Sequence, residues 1–149
     1  FSPKDLVVAV SQSGETVDTL AAVRAAREAG ASVLALSNVV DAAIPRLSDG
    51  ALYTHAGPEI GVASTKCFTA QLAAMLLFAV YLGRERGTLS PERARAVLQA
   101  LLEVPGKMRE TLEATAPVLE VARALSRSTT CSFSAEGSVT QSRWRGLSS

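Results

Sequence analysis

The sequence predicts an α/β fold in which a doubly wound parallel sheet is flanked by helices and followed by further α-helices. Three apolar runs of strand length lie early in the chain, and segments long enough for a crossover separate them. Parallel strands need such crossovers, so this alternation favours a parallel sheet. A series of helical patterns follows the third strand.

Strands and helices alternate from the beginning of the predicted sheet. Each strand is a short run of aliphatic residues, as is typical of strands buried on both faces. The first helix repeats apolar residues at helical spacing and ends at Gly30, a residue type common at helix C-termini. The predicted elements are strand Leu6–Val10, helix Thr16–Ala29, strand Ser32–Leu36, a short helix Ala42–Leu47 and strand Ala51–Thr54.

Four helices are predicted after the sheet. The first is strongly apolar and is capped by Ser64 or Thr65. We expect it to be buried, because its apolar run falls short of the roughly 20 residues of a membrane span. Ser90 caps the next helix, which has a proline in its first turn and breaks at a second proline. These helices end near Leu82 and Val104 and then span Gly106–Ala114 and Pro117–Leu125.

Composition excludes several classes of function. The chain has 149 residues, with 15 Lys and Arg against 14 Asp and Glu and a net charge of +1. The basic residues form no stripe, so no nucleic-acid partner is expected. No membrane partner is expected either. Cys67 and Cys131 have no metal-ligand spacing, which predicts no metal and a reducing, cytoplasmic location.

The segment VVAVSQSGETVDTL, residues 7–20, predicts a strand, a turn rich in hydroxyls and a helix. Ser11, Ser13 and Thr16 contribute hydroxyls at the positive end of that helix. Gln12 and Gly14 complete the turn. Such a turn can bind an anion through backbone N–H groups without a lysine. The alternative is an ordinary strand-to-helix turn capped by its own hydroxyls.

A second polar loop follows the third predicted strand. Glu59 is interpreted as structural, tying the loop through backbone N–H groups, with a catalytic carboxylate as the alternative. His55 is the only histidine of the chain and is interpreted as a surface or capping residue rather than a base. Lys66 is either a phosphate partner or an exposed residue of the first helical turn. Cys67 lies on an apolar helical face and is expected in the core.

Two motifs resemble the sugar isomerase (SIS) domains of glutamine–fructose-6-phosphate aminotransferases. They are SQSGET and GPEIGVASTKCFTAQL, residues 57–72, and the resemblance extends from about Asp5 to Leu125. It implies a flavodoxin-like three-layer sandwich that binds fructose 6-phosphate, truncated before its first strand. By this resemblance Ser11, Gln12, Ser13 and Thr16 contact the phosphate and sugar, and Val62 and Ser64 contact the sugar.

The resemblance implies an enzyme that converts fructose 6-phosphate and glutamine into glucosamine 6-phosphate and glutamate without a cofactor. The catalytic Glu, His and Lys of that family lie in a second SIS domain and a terminal tail, so no catalytic residue is assigned here. The implied partners are a glutaminase domain, the second SIS domain and a second copy in a homodimer. This chain alone is expected to be inactive. The alternative is a lone SIS domain that binds a phosphosugar in a regulatory role.

Three segments are predicted. Residues 1–88 form a partial SIS domain, residues 89–127 are helical, and residues 128–149 depart from the family pattern. With suitable synonymous codons, TQSRWRGLSS read one base out of frame becomes YPVALEGALK, a typical family continuation. We hypothesise that the last segment is out-of-frame translation of the second SIS domain, the alternative being a divergent, poorly ordered tail.

Overall fold

The computed structural model describes residues 1–61, 64–126, 130–135 and 138–143. The chain divides into two compact units, Phe1–Leu101 and Leu102–Ser149. The first unit contains a three-stranded parallel sheet in the order β1-β2-β3, which confirms the predicted fold class. Its elements are β1 (Leu6–Ser11), α1 (Val17–Glu28), β2 (Ser32–Ser37), α2 (Ala43–Leu47), β3 (Gly50–Tyr53) and α3 (Lys66–Glu85).

The core of the first unit lies between the sheet and the helices α1 and α2. Small side chains on the strands let the helices approach closely, and alternate residues of each strand face them. Ile44 of α2 and Val23 of α1 are fully buried there. The buried core cluster comprises Ala9, Val23, Ala26, Ala31, Val33, Ala35 and Ile44.

The opposite face of the sheet is only partly covered. Leu36 points to this face, since it alternates with the core residue Ala35, and it is fully buried. Its register neighbours Val10 and Leu52 point the same way and are about two-fifths exposed, at 40% and 38%. Leu6 of the same face is half exposed. The first unit therefore presents apolar sheet surface to its surroundings.

Helix α3 was expected to be buried, and that expectation is wrong. Cys67 and Val80 are its buried residues, whereas Phe68 and Leu72 are each 56% exposed. The physical reason is the narrow sheet, on which α3 contacts mainly β2. By length and composition alone α3 could cross a membrane, and it is the only such helix in the described part of the chain.

The remaining elements are two helices and a hairpin: α4 (Pro91–Glu113), α5 (Ala116–Leu125), β4 (Thr130–Ala135) and β5 (Ser138–Arg143). Ser90 caps α4 as predicted, its Oγ accepting the Arg93 N–H at 3.2 Å. The predicted break at Pro105 is wrong, since α4 continues through that residue. Because Pro105 has no backbone N–H, the continuous helix lacks one of its backbone hydrogen bonds there. The sequence predicted no strands in the tail, whereas β4 and β5 pair antiparallel.

Candidate functional site

Three polar segments meet at the carboxyl edge of the parallel sheet. The turn Ser11–Thr16, called here the hydroxyl turn, follows β1. Asn38 follows β2, and residues 54–61, called here the second loop, follow β3. Open α/β sheets bind ligands at this edge, because parallel strands all end there.

The hydroxyl turn is braced from inside by two of the predicted ligand residues. Ser11 is 6% exposed, and its Oγ lies 2.9 Å from Thr16 Oγ1. The backbone N–H of Gly14 donates to the same Ser11 Oγ at 3.0 Å. Ser11 and Thr16 are therefore brought together as predicted, but they are engaged with the turn itself. Thr16 makes no side-chain cap on α1.

The other two predicted residues of the turn, Gln12 and Ser13, are half-buried. Ser13 is half-buried, and its Oγ accepts the N–H of Glu15 at 3.2 Å, which leaves its hydroxyl hydrogen available to a ligand. The carbonyl of Gln12 accepts the backbone N–H of Asn38 at 3.1 Å. Its side chain lines a cleft beside the turn. Thr16 is exposed and Gln12 and Ser13 are half-buried, so a ligand can reach all three.

The hydroxyl turn is fixed against α2 by its Gly14 and Glu15. Gly14 has a φ of +69°, and its carbonyl accepts the Ile44 N–H at 2.9 Å. Glu15 Oε1 accepts the Ala43 N–H at 2.7 Å, so a carboxylate satisfies the first turn of α2. No local pattern predicted these ties, because they join residues far apart in the chain.

Glu59 caps helix α3 and closes the second loop. Its Oε2 accepts the backbone N–H groups of Thr65 at 2.9 Å and Cys67 at 3.2 Å. Its Oε1 accepts the Thr65 hydroxyl at 3.0 Å and the Gly61 N–H at 3.3 Å. These hydrogen bonds lower the pKa of Glu59 from 4.5 to about 2, and the backbone N–H of Thr65 contributes most, followed by that of Cys67. The structural interpretation of Glu59 is confirmed.

The predicted caps of α3 are wrong, because the Glu59 carboxylate takes their place. Thr65 makes no side-chain cap on the helix. Ser64 has a φ of +60°, and its buried Oγ has no hydrogen-bond partner in the described part of the chain. The predicted sugar contact Val62 lies outside the described residues. A second anion is disfavoured at this helix end, since a carboxylate already lies there.

A cleft of about 540 Å³ separates the hydroxyl turn from the second loop. Gln12 contributes one wall, and His55, Gly57 and Glu59 contribute the other, with Asn38 between them. His55 is exposed and has a φ of +49°, consistent with a surface role. The lining residues offer amide, imidazole and carboxylate groups together with apolar surface from Val39 and Pro58.

Asn38 is the residue of this cleft that sequence reasoning missed. Its Oδ1 accepts the Thr54 hydroxyl at 3.0 Å and the Ala56 N–H at 2.8 Å. Its Nδ2 donates to the Gly57 carbonyl at 2.8 Å. The only available signal was an asparagine directly after a predicted strand, and the partners lie 16 to 19 residues further along the chain.

Comparison with known proteins identifies the family. The profile of the SIS domain matches residues 1–81, more than half of the chain. The chain belongs to the SIS domain family. The SIS fold also appears among solved structures: the C-terminal domain of glucosamine-fructose-6-phosphate aminotransferase from Francisella tularensis superposes with a TM-score of 0.78. The two sequences are 31% identical, and the aligned region covers 83% of this chain and 35% of the Francisella structure.

Two curated relatives of this SIS chain are both named glutamine–fructose-6-phosphate aminotransferase (isomerizing). The protein from Leifsonia xyli is 52% identical over 121 residues, which are 81% of this chain and 20% of the relative. The protein from Streptomyces coelicolor is 51% identical over 128 residues, 86% of this chain and 21% of the relative. The chain thus spans about a fifth of the length of these relatives.

Proposed function

We propose that this SIS chain is the phosphosugar-binding part of an enzyme that makes glucosamine 6-phosphate and glutamate from fructose 6-phosphate and glutamine. The observation that carries the proposal is the hydroxyl turn beside an open cleft, in a chain about half identical to aminotransferases of that name. The regulatory alternative is not favoured, because the relatives are named as aminotransferases rather than regulators.

The division of labour within the cleft follows from its charges. The first turn of α1 offers backbone N–H groups that lack helical acceptors, and Ser13 adds a hydroxyl beside them. The phosphate is therefore assigned to the hydroxyl turn. The sugar is assigned to the wall formed by the second loop, where Glu59 already occupies the helix end. Ser11, Gln12, Ser13 and Thr16 contact the phosphate and sugar there, and the Ser11 hydroxyl also holds Gly14 and Thr16 in place.

Catalysis is assigned to the rest of the parent enzyme. We assign no proton-transfer role to His55 or Glu59, since Glu59 is engaged in four hydrogen bonds. The parent would supply the glutaminase domain, the second SIS domain and the acid and base groups. A cytoplasmic location fits a buried free thiol at Cys67, whose pKa burial raises.

Titration of the chain with fructose 6-phosphate, followed by NMR, tests the binding function. We expect saturable shifts of backbone amides in the hydroxyl turn. Ser13→Ala should weaken the affinity by about tenfold, the worth of a hydrogen bond to a charged group. The matched control is Ser32→Ala, an exposed serine at the amino end of β2. If the turn amides stay unmoved at saturating sugar, or if both variants behave alike, the proposal fails.

A homodimer is also proposed. Helix α3 exposes apolar side chains along one side, and Phe68, Leu72, Met75 and Leu76 recur there at helical spacing with 37% to 56% of each exposed. Apolar surface of this kind marks an interaction site in soluble proteins. A second copy of this chain is the occupant proposed for it.

The domain organisation is proposed as the sequence predicts it. Residues 1–88 form the SIS unit, residues 89–127 are a helical segment leading to the second SIS domain, and residues 128–149 are read out of frame. The support for the last assignment is the tail sequence itself: with suitable synonymous codons, TQSRWRGLSS converts to a family motif by a shift of one base.

A further inference from the structure

We propose that Asn38 is a positioning residue that holds the second loop against the hydroxyl turn and so gives the cleft its preference for a phosphosugar over bare phosphate. The inference rests on the proposed function and extends it to selectivity. Asn38 lies at the carboxyl end of β2, between the two walls of the cleft.

The hydrogen bonds of Asn38 join all three segments of the site. Its backbone N–H donates to the Gln12 carbonyl, which fixes the hydroxyl turn to the end of β2. Its side chain makes three further bonds, to Thr54, Ala56 and Gly57 of the second loop. Both lone pairs of Oδ1 are used, so the amide is held in one orientation. Asn38 thereby sets the distance across the cleft.

The backbone of the second loop needs this support. His55 has a φ of +49° and Gly57 a φ of +76°, so both residues that flank Ala56 have left-handed backbone conformations. A residue with a Cβ is disfavoured in that region. The Asn38 side chain bonds the backbone of Ala56 and Gly57 and stabilises this conformation. Without it, the loop is free to relax to ordinary dihedral angles and the wall would move.

The two roles of Asn38 are separable by mutation. Asn38→Ala removes the three side-chain bonds to the loop but keeps the backbone bond to Gln12, so the phosphate cradle stays intact. Asn38→Asp keeps both acceptor contacts and loses the donor to the Gly57 carbonyl. Val40→Ala is the control, because Val40 follows the same strand and exposes an apolar side chain outside the cleft lining.

NMR titrations of the full chain with fructose 6-phosphate and with inorganic phosphate measure the preference directly. We expect Asn38→Ala to weaken fructose 6-phosphate binding about tenfold while phosphate binding changes less than about twofold. Asn38→Asp should lie between wild type and Asn38→Ala, and Val40→Ala should match wild type. Amide hydrogen exchange at Ala56 should accelerate in Asn38→Ala, which reports the loop independently of any ligand.

The outcomes separate this inference from the function on which it rests. If wild type binds fructose 6-phosphate no better than phosphate, the proposed function fails and Asn38 has no preference to set. If wild type shows the preference and Asn38→Ala keeps it, the inference alone is overturned. An equal loss for both ligands would also overturn it, since the variant would then have damaged the phosphate cradle.

Discussion

At the scale of single residues, the hydroxyl turn depends on a missing side chain. A Cβ on Gly14 would lie 2.5 Å from the Ala42 Cβ and 3.0 Å from the Ser37 Oγ. Its φ of +69° is also unfavourable for any residue with a Cβ. Glycine therefore lets the turn pack directly on the start of α2, where its carbonyl meets the Ile44 N–H.

Gly14→Ala should destabilise the chain more than Gly87→Ala. Both glycines have positive φ, but a Cβ on Gly87 would meet nothing within 4 Å. Gly87→Ala therefore reports backbone strain alone, about 1 kcal/mol. Gly14→Ala adds overpacking, for a further 1–3 kcal/mol or so. Denaturant unfolding compares the two, and equal losses would show that α2 moves aside without cost.

Glu59 should make stability fall in acid. Its pKa is about 2 in the folded chain and 4.5 as its ordinary value. Because the folded pKa is depressed, the ionised carboxylate stabilises the fold fully above about pH 4.5, and this contribution disappears as pH falls toward 2. Gln cannot replace it, since one carboxamide oxygen replaces two acceptors.

The measurement is thermal unfolding of wild type and Glu59→Gln between pH 2 and 7. The gap between their midpoints should be constant above about pH 5 and shrink below pH 4.5. Glu110→Gln, at an exposed residue of α4, serves as the control and should show no such pattern. A gap that persists unchanged at pH 2 would contradict the capping role of the ionised carboxylate.

At the scale of elements, short-range signals predicted well and long-range ones did not. Gly30 ends α1 as predicted, with a φ of +79°, and Ser90 caps α4. Both signals depend on neighbours in the chain. The cap of α3 comes instead from Glu59, and nearby Ser64 and Thr65 misled the prediction. Which polar group reaches a helix end depends on how the loop folds back, and no local pattern encodes that.

The same limit applies to the candidate site. The sequence located the hydroxyl turn, because strand, hydroxyls and helix are contiguous. The structural role predicted for Glu59 from the sequence agrees with its four hydrogen bonds. The sequence could not find Asn38, whose partners approach only when β2 and β3 pair in parallel. The ligand contacts of Ser11 and Thr16 rest on the family resemblance and stay a prediction; the structure adds that their hydroxyls lie 2.9 Å apart.

Helix α3 should drive self-association of this chain. Phe68→Glu introduces a charge on the exposed apolar side of the helix and should shift a dimer toward monomer, since burying an unpaired charge is costly. Light scattering after size exclusion at micromolar concentration measures the mass. The control is Gln99→Glu, a charge at an exposed polar residue of α4. A monomeric wild type would contradict the proposed homodimer.

At the scale of the whole chain, the two ends of the sequence differ in character. Family resemblance extends over most of the chain, and the SIS profile matches residues 1–81. Residues 128–149 carry none of the family motifs in their present frame. They read as polar and rich in serine, a composition that offers few apolar groups for a core.

The nucleotide sequence decides whether that tail is natural. Tryptophan has a single codon, TGG, so Trp144 constrains the shifted frame strongly: with C before it and A after it, the shifted reading is forced to Leu and then Glu. We expect resequencing through this region to restore LEGALK and further family sequence after one corrected base. The matching protein-level check is the intact mass of the corrected product. A clean frame ending at Ser149 would show a divergent tail, and the catalytic groups of the parent enzyme would then have to come from another chain.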